Sequence, residues 1–265
     1  MDKKKKILTI ITIFLFILVF FLAYLLFDKY ILKKQFENQI LPFASKNEKV
    51  IFKIDKIVFF SNCDAKNKTS SISNFTLENL YQYTDIAIFI NTDSDEKTLE
   101  NTLKKVTINN IKFNTAPLLG NPNLYFKGIN QFAKSDFLDE NIINEAIDFN
   151  ITSESEANLD TPTLYNNLAN PITLSYINSN IKSDYTITDT SSPITYDGSL
   201  LKRCNVSLES LICNISFDIY ITNNENQEFK CTIFMDIPLT VESQSIYEGN
   251  ITLKKDTNFI FYRYK

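Results

Sequence analysis

The sequence contains no histidine, no tryptophan and only two arginines, Arg203 and Arg263, among its 265 residues. Without histidine, Ser-His-Asp and Cys-His catalysis, His-ligated zinc or haem and histidine-based pH switching all lack their central side chain. Without clustered arginine, and with 20 basic against 29 acidic side chains after residue 34, the chain is a poor partner for nucleic acid. Carboxylate-pair chemistry, a Ser-Lys dyad and oxygen-ligated calcium stay open.

A calcium loop is the only metal site for which the sequence contains part of a motif. Asn91, Asp93 and Asp95 alternate as at the start of an EF-hand loop. However, Glu96 stands where the sharp turn needs glycine, and Thr102 stands where the bidentate glutamate belongs. We therefore expect a solvated turn here, and no metal or cofactor in the protein.

Residues 7–27 form an apolar run without a charged side chain, directly after four lysines at positions 3–6. A helix needs roughly 20 residues to cross a hydrocarbon core about 30 Å thick. The run is longer than the core of about 7–15 residues in a signal peptide, and no small-residue cleavage site follows it. It predicts a permanent transmembrane anchor whose partner is the lipid bilayer, rather than a cleaved signal peptide.

The flanking charges give the orientation of this anchor. Four lysines precede it, whereas Lys29, Lys33 and Lys34 follow it and are partly offset by Asp28. The bias favours a cytoplasmic basic tail, residues 1–6, and an extracytoplasmic remainder. An apolar stripe with helical spacing in 28–42 predicts a helical stalk that ends at proline. Together with a composition typical of AT-rich bacterial coding, these features predict a single-pass protein of the bacterial cell membrane.

From residue 50 onward the apolar residues recur at every second position, which is typical of β-strands. We expect a bulge at Asp55-Lys56 and a polar loop at 61–73. The sequence predicts an all-β domain over 43–265, an antiparallel β-sandwich of the immunoglobulin-like or jelly-roll-like kind. If it contains two subdomains, the acidic tract 153–163 divides them. Strands are predicted at 50–60, 75–83, 86–91, 106–113, 124–127, 145–152, 172–177, 185–188, 200–208, 211–222, 228–237 and 259–264.

The cysteines and one charged stretch supply the candidate site residues. If a hairpin turns at Leu208-Glu209, Cys204 and Cys213 face each other within reach of a disulfide, although Cys213 equally suits a buried apolar position. The S-x-x-K spacing of Ser199 and Lys202 lacks the companion S-D-N and K-T-G motifs of penicillin-binding proteins, and a strand would place the two on opposite faces. No catalytic residue is assigned. The candidate contacts for a ligand or partner are Asp197, Lys202 and Arg203.

Three functions are compatible with these observations. The first is a non-catalytic binding or structural module that contacts an envelope protein or a glycan. The second is a cell-surface glycan hydrolase with a pair of carboxylates, which the sequence does not locate. The third is a pilin-like subunit, although the glycine before the cleavage site and the glutamate near the start of the mature helix are both absent. The first is our prediction.

Overall fold

The computed structural model describes residues 50–71, 74–94, 96–188, 192–238 and 244–264, together with Thr12 and Phe16. Thr12 and Phe16 are helical, but the rest of the predicted anchor 7–27, the tail 1–6 and the stalk 28–42 lie outside the described residues. Within the part of the chain that is described, no helix combines the length and the apolarity needed to cross a membrane. Val50–Arg263 forms a compact unit by its own contacts.

This unit consists mainly of β-strands. One short α-helix and five 3₁₀ turns, at Ile129–Gln131, Asp139–Asn141, Glu154–Glu156, Leu208–Leu211 and Ile246–Glu248, accompany the strands in the described residues. In chain order the elements are β1 (Phe52–Ser71), β2 (Asn74–Thr92), β3 (Leu103–Thr115), β4 (Asn121–Phe126), β5 (Ala146–Thr152), β6 (Thr163–Tyr165), β7 (Ile172–Ile187), α1 (Ser199–Arg203), β8 (Cys213–Asn223), β9 (Glu228–Ile237), β10 (Ile251–Ile260) and β11 (Tyr262–Arg263).

The strands form two sheets, and the prediction of an all-β domain is confirmed. The first sheet has the order β10-β1-β2-β7-β4, and the second has the order β11-β9-β8-β3-β5-β6. Neighbouring strands are antiparallel apart from the short parallel pair β5–β6. Buried side chains from both sheets belong to one hydrophobic cluster, which we call the main core. The alternation of side chains along each strand explains this, because every second residue points to the same face.

Several predicted details of the strands are confirmed, namely strand bounds, buried faces and the position of a bulge. β9 has the predicted bounds, and β8 is displaced by one or two residues from the predicted 211–222. The alternation in 211–222 predicts that Leu211, Cys213, Ile215, Phe217 and Ile219 share one face. The last four are buried in the main core, whereas Leu211 ends a 3₁₀ turn and is buried in another cluster. The register of β1 shifts between Ile54 and Lys56 against both of its neighbours, where the change of parity predicted a bulge.

The predicted polar loop at 61–73 is wrong, because β1 continues to Ser71 and pairs with β2 along this stretch. Two predicted strands at 75–83 and 86–91 are likewise one strand, β2, and those at 172–177 and 185–188 are one strand, β7. Polar side chains interrupt the sequence pattern but have partners across the sheet. The buried hydroxyls of Ser61 and Thr84, for example, lie 2.9 Å apart on neighbouring strands.

A second hydrophobic cluster lies where the extended ends of β1, β2 and β7 pack against the α1 segment. The strand predicted at 200–208 is wrong, because Ser199–Arg203 is helical. The adjacent residues Leu200 and Leu201 are both buried, which a helix lying on a sheet permits and a strand with one solvated face does not. The Asp197 carboxylate supports the start of the helix by accepting the Ser199 N–H at 2.9 Å.

A polar network lies on the second sheet around Asp218. Its carboxylate accepts hydrogen bonds from Lys230 Nζ at 2.8 Å, Thr232 Oγ1 at 2.6 Å and Asn110 Nδ2 at 2.7 Å. Burial alone would raise the pKa of Asp218, but these hydrogen bonds outweigh it and hold the pKa below its ordinary value. The ionised carboxylate therefore stabilises the fold.

Candidate functional site

The first sheet carries a group of aromatic rings on the face that points away from the main core. Along β2, Ile86 and Ile88 enter the main core, whereas Tyr81 and Tyr83 pack with Tyr125 into a separate buried cluster. A sheet face turned away from the core is usually solvated in an antiparallel sandwich. Buried tyrosines on this face therefore require another part of the chain to cover them.

The covering segment consists of residues 127–143, which leave β4 and return across the outer face of the first sheet. Phe137 packs edge-on against Tyr81 and Tyr125, with ring centroids 5.1 Å and 5.5 Å apart. The Tyr81 hydroxyl donates to the Ser135 carbonyl at 3.3 Å. At the end of the segment, Ile142 forms a β-bridge with Tyr125. The segment is thus held by rings and hydrogen bonds, without a regular strand or helix longer than one turn.

A buried ion pair fixes the beginning of the covering segment to the sheet. The ammonium of Lys127 lies 2.8 Å from both carboxylate oxygens of Asp85, which is in the middle of β2. It also donates to the Lys134 carbonyl at 2.5 Å. The carboxylate accepts two further hydrogen bonds, from the Ser175 hydroxyl at 2.6 Å and from the Ala133 N–H at 2.7 Å. One carboxylate therefore connects β2, β7 and two points of the covering segment.

The surroundings of this pair determine its electrostatics. Burial raises the pKa of Asp85 and lowers the pKa of Lys127, while each charge opposes the shift of the other. The ammonium also lies 4.9 Å from the centroid of the Tyr83 ring, which favours the cation. Burial raises the pKa of the Tyr83 hydroxyl to about 12, so this group remains protonated at neutral pH. With its hydrogen bonds filled by protein groups, the pair is suited to holding structure rather than to proton transfer.

A cavity of about 370 Å³ lies between the covering segment and the sheet. Ser175 and Ile177 of β7 line it on the sheet side, and Gly128 lines it beside the loop that contains Asp160. A side chain at position 128 would bring its Cβ within 2.8 Å of the Leu159 carbonyl, so the two loops approach closely here. The cavity is also lined by amide and carboxylate residues, Gln131, Asn141, Asp136 and Asp160, and by aromatic residues, of which Tyr125 and Phe126 are buried and Phe137 is partly exposed.

The three candidate contacts from the sequence lie at α1. The Asp197 carboxylate accepts from the N–H and the hydroxyl of Ser199, and the Arg203 guanidinium donates to the carbonyls of Pro193 and Ser192 at 2.7 Å and 3.1 Å. These two side chains hold their own loop together. Lys202 is exposed. The three residues lie together in one short segment, and none of them lines the cavity.

The four cysteines are buried free thiols in the structure. The hairpin that we assumed for Cys204 and Cys213 is absent from the described residues, because α1 and a 3₁₀ turn occupy 199–211 and β8 pairs with β9 and β3. Cys204 lies in the second cluster and Cys213 in the main core. Burial raises the pKa of Cys204 to about 11, as expected for an unreactive thiol.

Sequence reasoning did not find the ion pair or the cavity. Asp85 looked like part of a break between two strands, whereas it is a charged residue in the middle of one strand. Its position directly before the apolar run that begins at Ile86 was the available signal, because a carboxylate in such a strand needs a buried partner. Lys127 follows β4 directly, but its pairing with Asp85 depends on strands that are far apart in the sequence.

Comparison with known proteins gives no match to a family model, to a curated protein or to a solved structure. In the described part of the chain, no group of three or more histidine, cysteine, aspartate or glutamate side chains is placed to hold a metal ion. The chemistry of the cavity lining is therefore the best guide to function.

Proposed function

We propose that this chain is a single-pass envelope protein whose extracytoplasmic β-sandwich is a non-catalytic binding module for a glycan. The membrane part of the proposal depends on the charge-free run 7–27 and on the lysines before it. The binding part depends on one observation, the preformed cavity beneath the covering segment. Protease treatment of intact cells tests the topology, and survival of the β domain while known surface proteins are cleaved would overturn it.

We further propose that the sandwich is of the immunoglobulin-like kind. An immunoglobulin constant-type sandwich has strands A, B, E and D in one sheet and G, F and C in the other. The orders β1-β2-β7-β4 and β9-β8-β3 follow this scheme when β1, β2, β3, β4, β7, β8 and β9 are taken as A to G. β10 is added beside β1, and β5 and β6 are added beside β3. Fold alone does not indicate function, so the binding proposal depends on the cavity.

The mixed lining of the cavity favours a glycan over a purely apolar ligand. Sugar rings present apolar C–H faces that pack on aromatic rings, and their hydroxyls require donors and acceptors at the edges. Phe137 supplies a partly exposed ring, while Gln131 and Asn141 supply amides that both donate and accept. A preformed pocket of this volume with a few polar groups is typical of small-ligand sites.

The ion pair supports binding by making the wall of the cavity rigid before a ligand arrives. Ala133 and Lys134 are tied to the pair by hydrogen bonds, and Phe137 is anchored on Tyr81 and Tyr125. A wall that is already ordered loses little conformational entropy on binding. This is a positioning role for Asp85, which lies outside the cavity lining, and for Lys127, which lines the cavity but has its hydrogen bonds filled by the protein.

Binding to a glycan array, followed by titration calorimetry with any oligosaccharide that binds, tests the proposal. We expect Asn141→Ala to weaken binding at least tenfold, because it removes one donor and one acceptor from the lining. Asn144→Ala is the matched control, since Asn144 is exposed, three residues further along the chain and outside the cavity lining. Equal affinity of both variants, or no oligosaccharide bound by the wild type, would refute the glycan proposal.

A carboxylate-dependent glycan hydrolase is the second candidate, because Asp136 and Asp160 line the same cavity. Glycosidases commonly use two carboxylates on either side of the bond that is cleaved. The oligosaccharides that bind should be incubated with the wild type and analysed by mass spectrometry. Cleavage that disappears in both Asp136→Asn and Asp160→Asn would favour the enzyme, and binding without cleavage would favour the module.

A further inference from the structure

The edge of β9 is open in the described part of the chain. β9 pairs with β8 along its whole length, but on its other side it pairs with β11 only at Phe229 and Lys230. Every second residue of 231–237 therefore presents a backbone N–H and C=O that no described strand satisfies. Proteins usually protect such an edge, because it is a template for another strand.

An apolar groove runs beside this open edge. It has a volume of about 260 Å³ and lies between β9 of the second sheet and β10, the edge strand of the first sheet. It is lined by apolar residues, among them Leu253 and Phe259, and by the charged residues Asp236 and Lys255. Four other apolar lining residues, Ile57, Phe59, Ile233 and Met235, are buried members of the main core, so the groove lies directly against the core.

The C-terminal residues show how a strand fits this side of the sandwich. The chain leaves β10 at Ile260, and Phe261 is buried near the ring of Phe52 at a centroid distance of 6.5 Å. Tyr262 and Arg263 then pair with the edge of β9. These residues therefore combine edge pairing with a core-filling side chain at one end of β9. Along 231–237, next to the groove, no described residue pairs with this edge of β9 or adds such a side chain.

We propose that an extended peptide strand from a partner protein, with apolar side chains at alternate positions, adds to the edge of β9 and fills this groove. Pairing with the backbone of 231–237 would direct every second side chain of the peptide inward. Strand addition of this kind takes affinity from main-chain hydrogen bonds and specificity from pockets for alternate side chains. The site is separate from the glycan cavity, and its existence does not depend on the proposed function.

A free strand fits better than a second copy of this chain. In a pair of β9 edges, the inward side chains Ile233 and Met235 of each copy would already be buried in their own sandwich. They would be unable to enter the groove of the neighbour, which would stay unfilled. The occupant therefore has to bring inward side chains that are not already packed, as a peptide strand does.

The test uses the purified full-length chain and an mRNA-display library of random nine-residue peptides. We expect the selected peptides to carry apolar residues at alternate positions and to slow deuterium uptake in β9. Two N-methylated versions of a selected peptide should be compared, one methylated at its odd and one at its even amides. The version whose methylated amides face β9 should bind at least tenfold more weakly than the unmodified peptide. Failure to select peptides, selected peptides without alternation, or binding without protection of β9 would each overturn the proposal.

Protein variants complete the test. Leu253→Lys places a charge in the groove at a partly exposed position and should weaken peptide binding at least tenfold. Leu118→Lys is the matched control, because Leu118 is 84% exposed and outside the groove lining. Melting curves establish that both variants fold. Equal binding by both variants would contradict the groove, and self-association through β9 that excludes the peptides would point to a second copy and overturn the proposal.

Discussion

Removing the lysine of the buried ion pair should destabilise the domain strongly. In Lys127→Met the Asp85 carboxylate keeps its position under the covering segment but loses the only cation that contacts it among the described residues. Breaking a buried pair by removing one partner costs about 3–5 kcal/mol. For a domain of this size, each kcal/mol lowers the melting temperature by about 2–4 °C, so we expect a loss of about 6–20 °C.

The pH dependence of this variant gives a sharper test than the size of the loss. Burial already raises the pKa of Asp85 in the wild type, and the loss of the cation raises it further. A carboxyl group whose pKa is higher in the folded than in the unfolded state destabilises the fold when it ionises. The cost of Lys127→Met should therefore be smallest at acidic pH and should grow as the pH rises through the raised pKa.

Urea unfolding of the full-length chain at several pH values, monitored by circular dichroism, measures this effect. The double variant Asp85→Asn/Lys127→Met removes both charges, keeps an acceptor for the Ala133 N–H and should recover part of the lost stability. A loss of less than about 1 kcal/mol in Lys127→Met, or a loss that does not change with pH, would contradict a stabilising ion pair. A coupling energy near zero in the double-mutant cycle would also refute it.

Other measurements address the rest of the fold. Asp218→Asn should reduce the loss of stability on acidification. The lowered pKa of Asp218 contributes stability that is present above the ordinary carboxyl pKa of about 3.9 and is lost as the pH falls through the folded-state pKa. Urea unfolding between pH 2 and 6 measures this change. Gly120→Ala should lower the melting temperature more than Gly249→Ala. Both positions have positive φ, but only at Gly120 would the new Cβ lie 2.1 Å from the Asn178 Oδ1. A larger loss for Gly249→Ala would contradict the close contact at Gly120. All four thiols should resist alkylation in the native protein and react in denaturant without reductant, and a mass difference on reduction would reveal a disulfide.

The strands that could be predicted from sequence are those whose two faces differ in polarity. β8 and β9 alternate between apolar and polar residues because one face lies in the main core and the other carries groups such as Asp218. The predictions failed where polar residues are buried by partners from distant parts of the chain. Ser61 and Asp85 both looked like strand breaks, yet each is a buried strand residue whose hydrogen bonds are made across the sheet.

Local periodicity and composition were enough to predict the all-β class, the side chains that share a face on the alternating strands and the absence of histidine chemistry. These follow from local periodicity and from composition, which do not depend on how distant segments meet. Tertiary structure alone decided that Lys127 reaches Asp85, that residues 127–143 cover a sheet face, and that β9 keeps an open edge beside a groove. Each of these depends on which strands become neighbours, and contacts between residues far apart in the chain are not encoded in any local pattern.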